Sequence, residues 1–299
     1  MHKVSMLAVV VVLYSASNVR AQSPENAGAH YSFELIVPPG APTNSPVYAL
    51  GINDDASVVG YYPTQNNCYE PGDLCEVGYL KDGTGYHNIY FGSAGYTFVW
   101  GINDSGTIVG TCCGIHSAHA PGFEYDPQSG SFDLVLAPGS QATFLTSINS
   151  LGVIGGYSEV PGTTTTGFLL QNGTFTQIAY PGASATYVYG VNSSGQVVGN
   201  AVIGVVSQAF LYQNGTFQPI SYPGAASTSA NGINDGSDIV GAYTLPGSTV
   251  IYGFIYHGGV YSPFDQPNCN GSIPQGVNNH GAIVGETCNG AFVAIPKSN

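Results

Sequence analysis

Apolar residues in this chain fall into short runs, and the most regular runs are apolar at adjacent positions. One phrase occurs six times: Val58-Val59-Gly60, Ile108-Val109-Gly110, Ile154-Gly155-Gly156, Val197-Val198-Gly199, Ile239-Val240-Gly241 and Ile283-Val284-Gly285. Adjacent residues on a strand face opposite ways. Each run therefore predicts a strand buried on both faces, whereas a two-sheet sandwich would alternate apolar and polar positions. A second phrase precedes each in fixed register: Gly51-Ile52-Asn53-Asp54, Gly101-Ile102-Asn103-Asp104, Ser147-Ile148-Asn149-Ser150, Gly190-Val191-Asn192-Ser193, Gly232-Ile233-Asn234-Asp235 and Gly276-Val277-Asn278-Asn279. The copies start 42 to 50 residues apart, and the third is the weakest, with Gly155 where the others have Val.

Each repeat reads as four strands, A to D. Strand A ends at the Gly-Ile-Asn phrase, and strand B carries the Ile-Val-Gly phrase. Gly106, Gly152, Gly195 and Gly281 stand in the A–B link, where a tight turn wants a positive φ. The first and fifth repeats depart there, with Ala56 and with Gly236 one place early. Strand C is a Gly/Ala-Phe-Leu-Tyr phrase such as Ala209-Phe210-Leu211-Tyr212. Asp82-Gly83, Asn172-Gly173 and Asn214-Gly215 mark the C–D hairpins.

The ends of the chain say how the repeats assemble. The last repeat stops after its strand C, Ala291 to Ile295. An unassigned strand D, Phe33 to Val37, stands near the beginning. In a ring, the N-terminal strand supplies what the last repeat lacks. Propellers keep only short, protected edges, and their blades run about 40–50 residues. The expected fold is an all-β, six-bladed β-propeller closed by the N-terminal strand, over residues 22–299. An open β-solenoid is the alternative.

Composition supports this and places the chain outside the cell. Only 7% of residues are charged, and 42 glycines and 19 prolines discourage long helices. Lys3, an apolar run from Met6 to Leu13, and Val19-Arg20-Ala21 predict a signal peptide over residues 1–21. The run is too short to span a bilayer. After its removal two basic residues, Lys81 and Lys297, face 17 acidic ones. Such a chain is repelled by nucleic acid and by anionic membrane surfaces. The expected location is secreted, extracellular or periplasmic, with no membrane span.

The phrase Gly-Ile-Asn-Asp-x-Gly-x-Ile-Val-Gly followed by Gly-Phe-x-Tyr resembles the HAF family of probable extracellular repeat proteins. The likeness covers nearly all of residues 22–299. It implies secretion and a repeat architecture, and it carries no catalytic residues.

Six cysteines in a secreted chain predict disulfides. Cys68, Cys75, Cys112, Cys113, Cys269 and Cys288 all fall in B–C or D–A links, which share one face of a blade. The favoured pairs are Cys68–Cys75 and Cys269–Cys288; Cys112 and Cys113 form a vicinal pair or pair elsewhere. Cys112, Cys113, His116 and His119 are an alternative metal set without an established zinc spacing. Asp54, Asp104 and Asp235 raise calcium, but each link has too few carboxylates, and Asx turns explain them. No cofactor is expected. Sequons at Asn103, Asn172, Asn192, Asn214 and Asn270 follow from the turns of the repeat.

No catalytic motif stands out. Glu70, Asp73, Glu76, Glu159 and Glu286 are carboxylates that nothing in the sequence pairs, as glycoside hydrolysis would require. The expected activity is binding of an unknown extracellular glycan or protein, with a secreted glycoside hydrolase or polysaccharide lyase as the alternative. The B–C links of the first two repeats exceed what a hairpin needs, and surplus loop on a rigid scaffold tends to bind. Tyr62, Tyr69, His116 and His119 lie in those links. The residue before each Gly-Ile-Asn phrase also varies: Leu50, Trp100, Thr146, Tyr189, Asn231 and Gln275. These six should line a central channel, where Trp100 and Tyr189 join the candidate ligand site.

Overall fold

Why adjacent valines recur is answered by the packing of a computed structural model, which describes residues 26–43, 45–65, 75–92, 96–113, 119–160, 162 and 164–298. Val58 packs in a core between the sixth and first blades, and Val59 in the core between the first and second. Ile108 and Val109 divide between two cores in the same way, as do Ile239 and Val240. The six apolar cores are thus six seams between neighbouring blades. Each Ile-Val pair stitches two of them.

The molecule is a six-bladed β-propeller. Six four-stranded sheets are each antiparallel throughout. The innermost strands A are Tyr48–Ile52, Thr97–Ile102, Ala142–Ile148, Ala185–Val191, Ser227–Ile233 and Ser272–Val277. In the sixth blade the outermost strand is Tyr31–Leu35, paired antiparallel to Gly290–Pro296 with Phe33 opposite Ala294. The closure inferred from the two chain ends is therefore the observed one. Its aromatic side chains anchor it: Phe33 packs on Phe292 at 5.2 Å and Phe264 at 5.7 Å, and Tyr31 meets Phe264 edge-on. Asn26 fixes the lead-in by accepting from the Asp265 N–H and donating to the Asp265 carbonyl, both at 2.9 Å.

Glycine before Ile-Asn has a steric cause. A Cβ on Gly51 would lie 2.9 Å from the Gly101 Cα of the next blade and 2.9 Å from Val59. Strands A crowd around the axis here, and only backbone fits. The third blade solves the problem in reverse. Its cross-strand pair is Ser147 opposite Gly155, where the others pair Gly with Val. A Cβ on Gly155 would lie 2.6 Å from Ser147 Oγ. The Val-to-Gly change that weakened the third phrase therefore compensates for its Gly-to-Ser change.

Asparagine in the phrase closes the ring at its narrow end. Asn53 Nδ2 donates to the Asn103 carbonyl, Asn103 to Asn149, and Asn149 to Asn192. Asn192 donates to Asn234, Asn234 to Asn278, and Asn278 back to Asn53. Each Oδ1 meanwhile accepts the backbone N–H four residues on, as from Ser57 to Asn53 at 2.9 Å. All six side chains are buried. The Asx turns expected to explain Asp54, Asp104 and Asp235 are made instead by the preceding asparagines, Asn53, Asn103 and Asn234. Burial also places the sequon residues Asn103 and Asn192 inside the fold, whereas Asn172, Asn214 and Asn270 are exposed.

The left-handed turn position is Gly106, Gly152, Gly195 and Gly281, as read. In the two departing repeats it is held by Ala56 (φ 57°) and Ser237 (φ 65°), so Gly236 is not its occupant.

Candidate functional site

A β-bulge repeated six times builds the channel wall. In every blade the A–B register slips at one residue: Leu50, Trp100, Thr146, Tyr189, Asn231 and Gln275 each lack a partner on strand B. A bulge re-aims the side chain of its extra residue. All six line the wide mouth of the central channel, which encloses about 420 Å³. Deeper in, the glycine tier leaves a throat of about 90 Å³, and the asparagine ring encloses about 60 Å³. The mouth opens on the face that carries the D–A and B–C links.

A second tier stands above the bulge residues. Tyr48, Ser229 and Ile273 from strands A, with Tyr61, Tyr157 and Asn200 from strands B, complete the lining. The residues are not evenly spread. Blades one to four give an aromatic wall: Tyr61 stacks on Tyr48 at 4.7 Å and meets Trp100 edge-on at 5.9 Å. Tyr157 stacks on Phe144 at 4.5 Å, and Tyr187 lies parallel to Tyr189 at 6.2 Å. Blades four to six give an amide wall of Asn200, Asn231 and Gln275. Burial, reinforced by neighbouring phenols, pushes the Tyr61, Tyr157 and Tyr189 hydroxyls up, so they stay protonated at neutral pH.

Buried polar atoms normally find partners. Among the described residues, three buried side-chain atoms do not: Trp100 Nε1, Ser147 Oγ and Glu286 Oε1. Trp100 and Ser147 line the channel, and Glu286 Oε2 accepts from the channel residue Gln275 Nε2 at 3.0 Å. Of the three residues, Trp100 lines the mouth, Ser147 turns its Oγ onto Gly155, and Glu286 stands behind Gln275.

Burial pushes the Glu286 carboxyl up from 4.5 to about 7, against the opposing pull of Gln275 and the Ala49 backbone. A carboxyl raised in the folded state contributes its stability below the unfolded pKa and loses it as pH rises through the folded one. The window is therefore about 4.5 to 7, with a slope of up to about 1.4 kcal/mol per pH unit. Glu286→Gln is expected to flatten that decline. Urea denaturation at pH 5 and pH 8 checks it; equal slopes in both proteins would refute it.

The sequence-named residues scatter. Trp100 and Tyr189 stand in the mouth. Tyr62 does not: it is 2% exposed in the seam between the sixth and first blades, its hydroxyl bonded to Asn88. Strand B of the first blade runs on to Thr64, so Tyr61 points into the channel and Tyr62 away from it. His119 is exposed in the second blade's B–C link and lies outside the lining. Tyr69 and His116 lie outside the described residues.

Cys269 and Cys288 are joined, with S–S 2.02 Å, tying the loop into the sixth blade to its B–C turn. Cys112 and Cys113 form the vicinal pair. Cys75 is disulfide-bonded; Cys68, its expected partner, lies outside the described residues. Cys75 and Cys112 sit at strand ends rather than in links. Among the described residues no group of three or more His, Cys, Asp or Glu is placed to hold a metal. The Asp54, Asp104 and Asp235 carboxylates instead accept backbone N–H groups of neighbouring blades, from Asn279 at 2.8 Å, Asp54 at 2.9 Å and Ser193 at 2.7 Å.

Sequence reasoning missed the upper tier and named Glu286 only as one of five unpaired carboxylates. The signal was present in the residue after each Ile-Val-Gly phrase, which varies as widely as the bulge residue: Tyr61, Thr111, Tyr157, Asn200, Ala242 and Glu286.

The fold defines a class, the β-propeller, that solved structures of low identity share. TolB from Acinetobacter baumannii is similar with TM-score 0.55 and 14% identity, over 82% of this chain and 65% of that one. The β-propeller domain of the Trilobed protease from Pyrococcus furiosus, described as having an open velcro topology, gives 0.54 and 10%, over 85% and 96%. Likeness at this identity concerns the fold alone. No protein-family model matches the chain, and no curated protein does.

Proposed function

We propose that this chain is a secreted binding module of the HAF repeat kind, and that its ligand, glycan or protein, enters the wide mouth of the channel. One observation carries the reading. The aromatic wall and the amide wall line the same axial cavity. A volume of about 420 Å³ lies in the range of ligand sites, and a few polar groups among apolar and aromatic ones suit recognition. The signal-like N-terminus and the disulfides support an oxidising compartment. Among the described residues no helix is long and apolar enough to cross a membrane.

The hydrolase or lyase reading ranks second. The mouth is lined by no carboxylate, and Glu286 adjoins it only through Gln275. Glycoside cleavage uses two placed carboxyl groups.

Trp100 is the only tryptophan in the chain, so intrinsic fluorescence reports on the mouth directly. A screen of oligosaccharides and peptides should find ligands that shift this emission. Trp100→Phe should weaken their binding by about three- to tenfold, the scale of lost aromatic contact, with little change in Tm. Tyr61→Ala should weaken it further. Ligands that bind with Trp100 emission unchanged, and with unaltered affinity in both variants, would place the site elsewhere.

A further inference from the structure

We infer that the mouth takes the terminal units of a neutral glycan end-on and rejects anionic ends. The inference rests on the binding reading above and specifies its ligand. Shape comes first. The cavity narrows from about 420 Å³ at the mouth to about 90 Å³ at the throat. The throat is closed in by backbone: a Cβ on Gly232 would lie 2.6 Å from the Gln275 carbonyl, and one on Gly276 2.7 Å from that of Leu50. A polymer cannot thread this opening, so a chain enters by its end.

Chemistry comes second. Asn231 Nδ2 is committed to the Pro274 carbonyl at 2.8 Å, and Gln275 Nε2 to Glu286 at 3.0 Å. Both amides are thereby oriented, and each keeps a carbonyl oxygen to offer. In the adjacent blades stand donors, the Tyr189 hydroxyl beside Asn231 and the Tyr61 hydroxyl beside Gln275, both held protonated by burial. A sugar ring matches both walls. Its C–H face packs on aromatic rings, Trp100 among them, and its hydroxyls donate to the amide oxygens and accept from Tyr.

A carboxylate end would meet the amide oxygens with no cation to offset them. Of the two lysines outside the N-terminal segment, Lys81 pairs with Glu34 at 3.3 Å and Lys297 bonds the Ala29 carbonyl at 2.8 Å, both at the outer rim. A peptide presents a charged terminus of one sign or the other, and the lining offers neither counter-charge.

The test uses the full mature protein and three matched panels, read by Trp100 fluorescence and calorimetry. The first is linear neutral oligosaccharides of two to six units from several polysaccharide types. The second is the same chains ending in a uronic acid. The third is cyclic oligosaccharides, which have no end, together with short peptides. At least one linear neutral series should bind, with affinity levelling off by the third unit. The uronate-ended counterpart should bind at least tenfold more weakly, and the cyclic forms not measurably. Cyclic and linear chains binding alike, affinity still climbing at six units, or equal binding of acidic ends would overturn the end-on neutral reading. So would binding by peptides alone, or no response to any panel. Any of the first four accompanied by a Trp100 response leaves the mouth as the site and removes only this refinement; binding without a Trp100 response removes the site itself.

Discussion

Deletion of residues 26–37 is expected to lower Tm by about 10–20 °C, and supplying the same segment as a free peptide should recover much of the loss. The segment contributes a whole strand to the sixth blade, paired from Tyr31 opposite Pro296 to Leu35 opposite Phe292. Without it Phe264 and Phe292, both 0% exposed, lose the Tyr31 and Phe33 rings that cover them. Ile36, buried in the seam with the first blade, is lost too. Exposing groups of this size costs about 1.5–3 kcal/mol each, so the total is about 5 kcal/mol. That rivals the whole stability of many domains, and about 2–4 °C of Tm accompanies each kcal/mol at this size. Strand addition to an open sheet edge makes rescue by peptide chemically reasonable. Thermal unfolding followed by circular dichroism, with and without peptide, measures both. A Tm within 2 °C of the parent would mean that the N-terminal strand decorates the ring rather than closing it.

How far the sequence spoke depended on whether a feature was local to one repeat. Adjacent apolar residues, the unpaired strand at each chain end and the Cys269–Cys288 pair follow from strand parity and link order, so they were legible. The six bulge residues were legible as variation at a fixed offset, although the bulge that turns them inward was not. Tyr62 was misplaced for a specific reason. The sequence puts Tyr62 in the first B–C link, whereas strand B continues to Thr64, and one step along a strand reverses the side chain. The asparagine ring stayed hidden because each bond runs to the next repeat, and the Ser147–Gly155 exchange because its two halves lie on different strands. Glu286 could not be singled out, since its burial comes from the closing of the ring.

The asparagine ring makes the sharpest prediction about a single atom. Asn192 is 1% exposed. Its Oδ1 accepts from the backbone of Ser194 at 3.1 Å and Gln196 at 2.9 Å. Its Nδ2 donates to the Asn234 carbonyl at 3.1 Å and to Gln196 Oε1 at 2.7 Å. In Asn192→Asp the donor becomes an oxygen facing two oxygens. The protonated acid can still satisfy one of them; the carboxylate satisfies neither. The folded pKa of the new group must therefore rise above the unfolded value of about 3.9. Because the unfolded chain then ionises first, stability is retained at low pH and lost as pH rises through the folded pKa. The expected cost is about 1–2 kcal/mol at pH 4, the scale of a lost hydrogen bond, and about 3–5 kcal/mol at pH 7, the scale of an unpaired buried charge. Asn192→Ala should cost about 2–3 kcal/mol at both pH values, since it strands two amides and a carbonyl without adding charge. Asn172→Asp is the control: Asn172 sits exposed at a hairpin with φ 50°, where Asp is tolerated, and should change stability by less than about 0.5 kcal/mol. Urea titrations of the three variants at pH 4 and pH 7 decide the matter. An Asn192→Asp penalty that is the same at both pH values, or no larger than that of Asn172→Asp, would show that the inter-blade bond from this side chain contributes little to holding the ring closed.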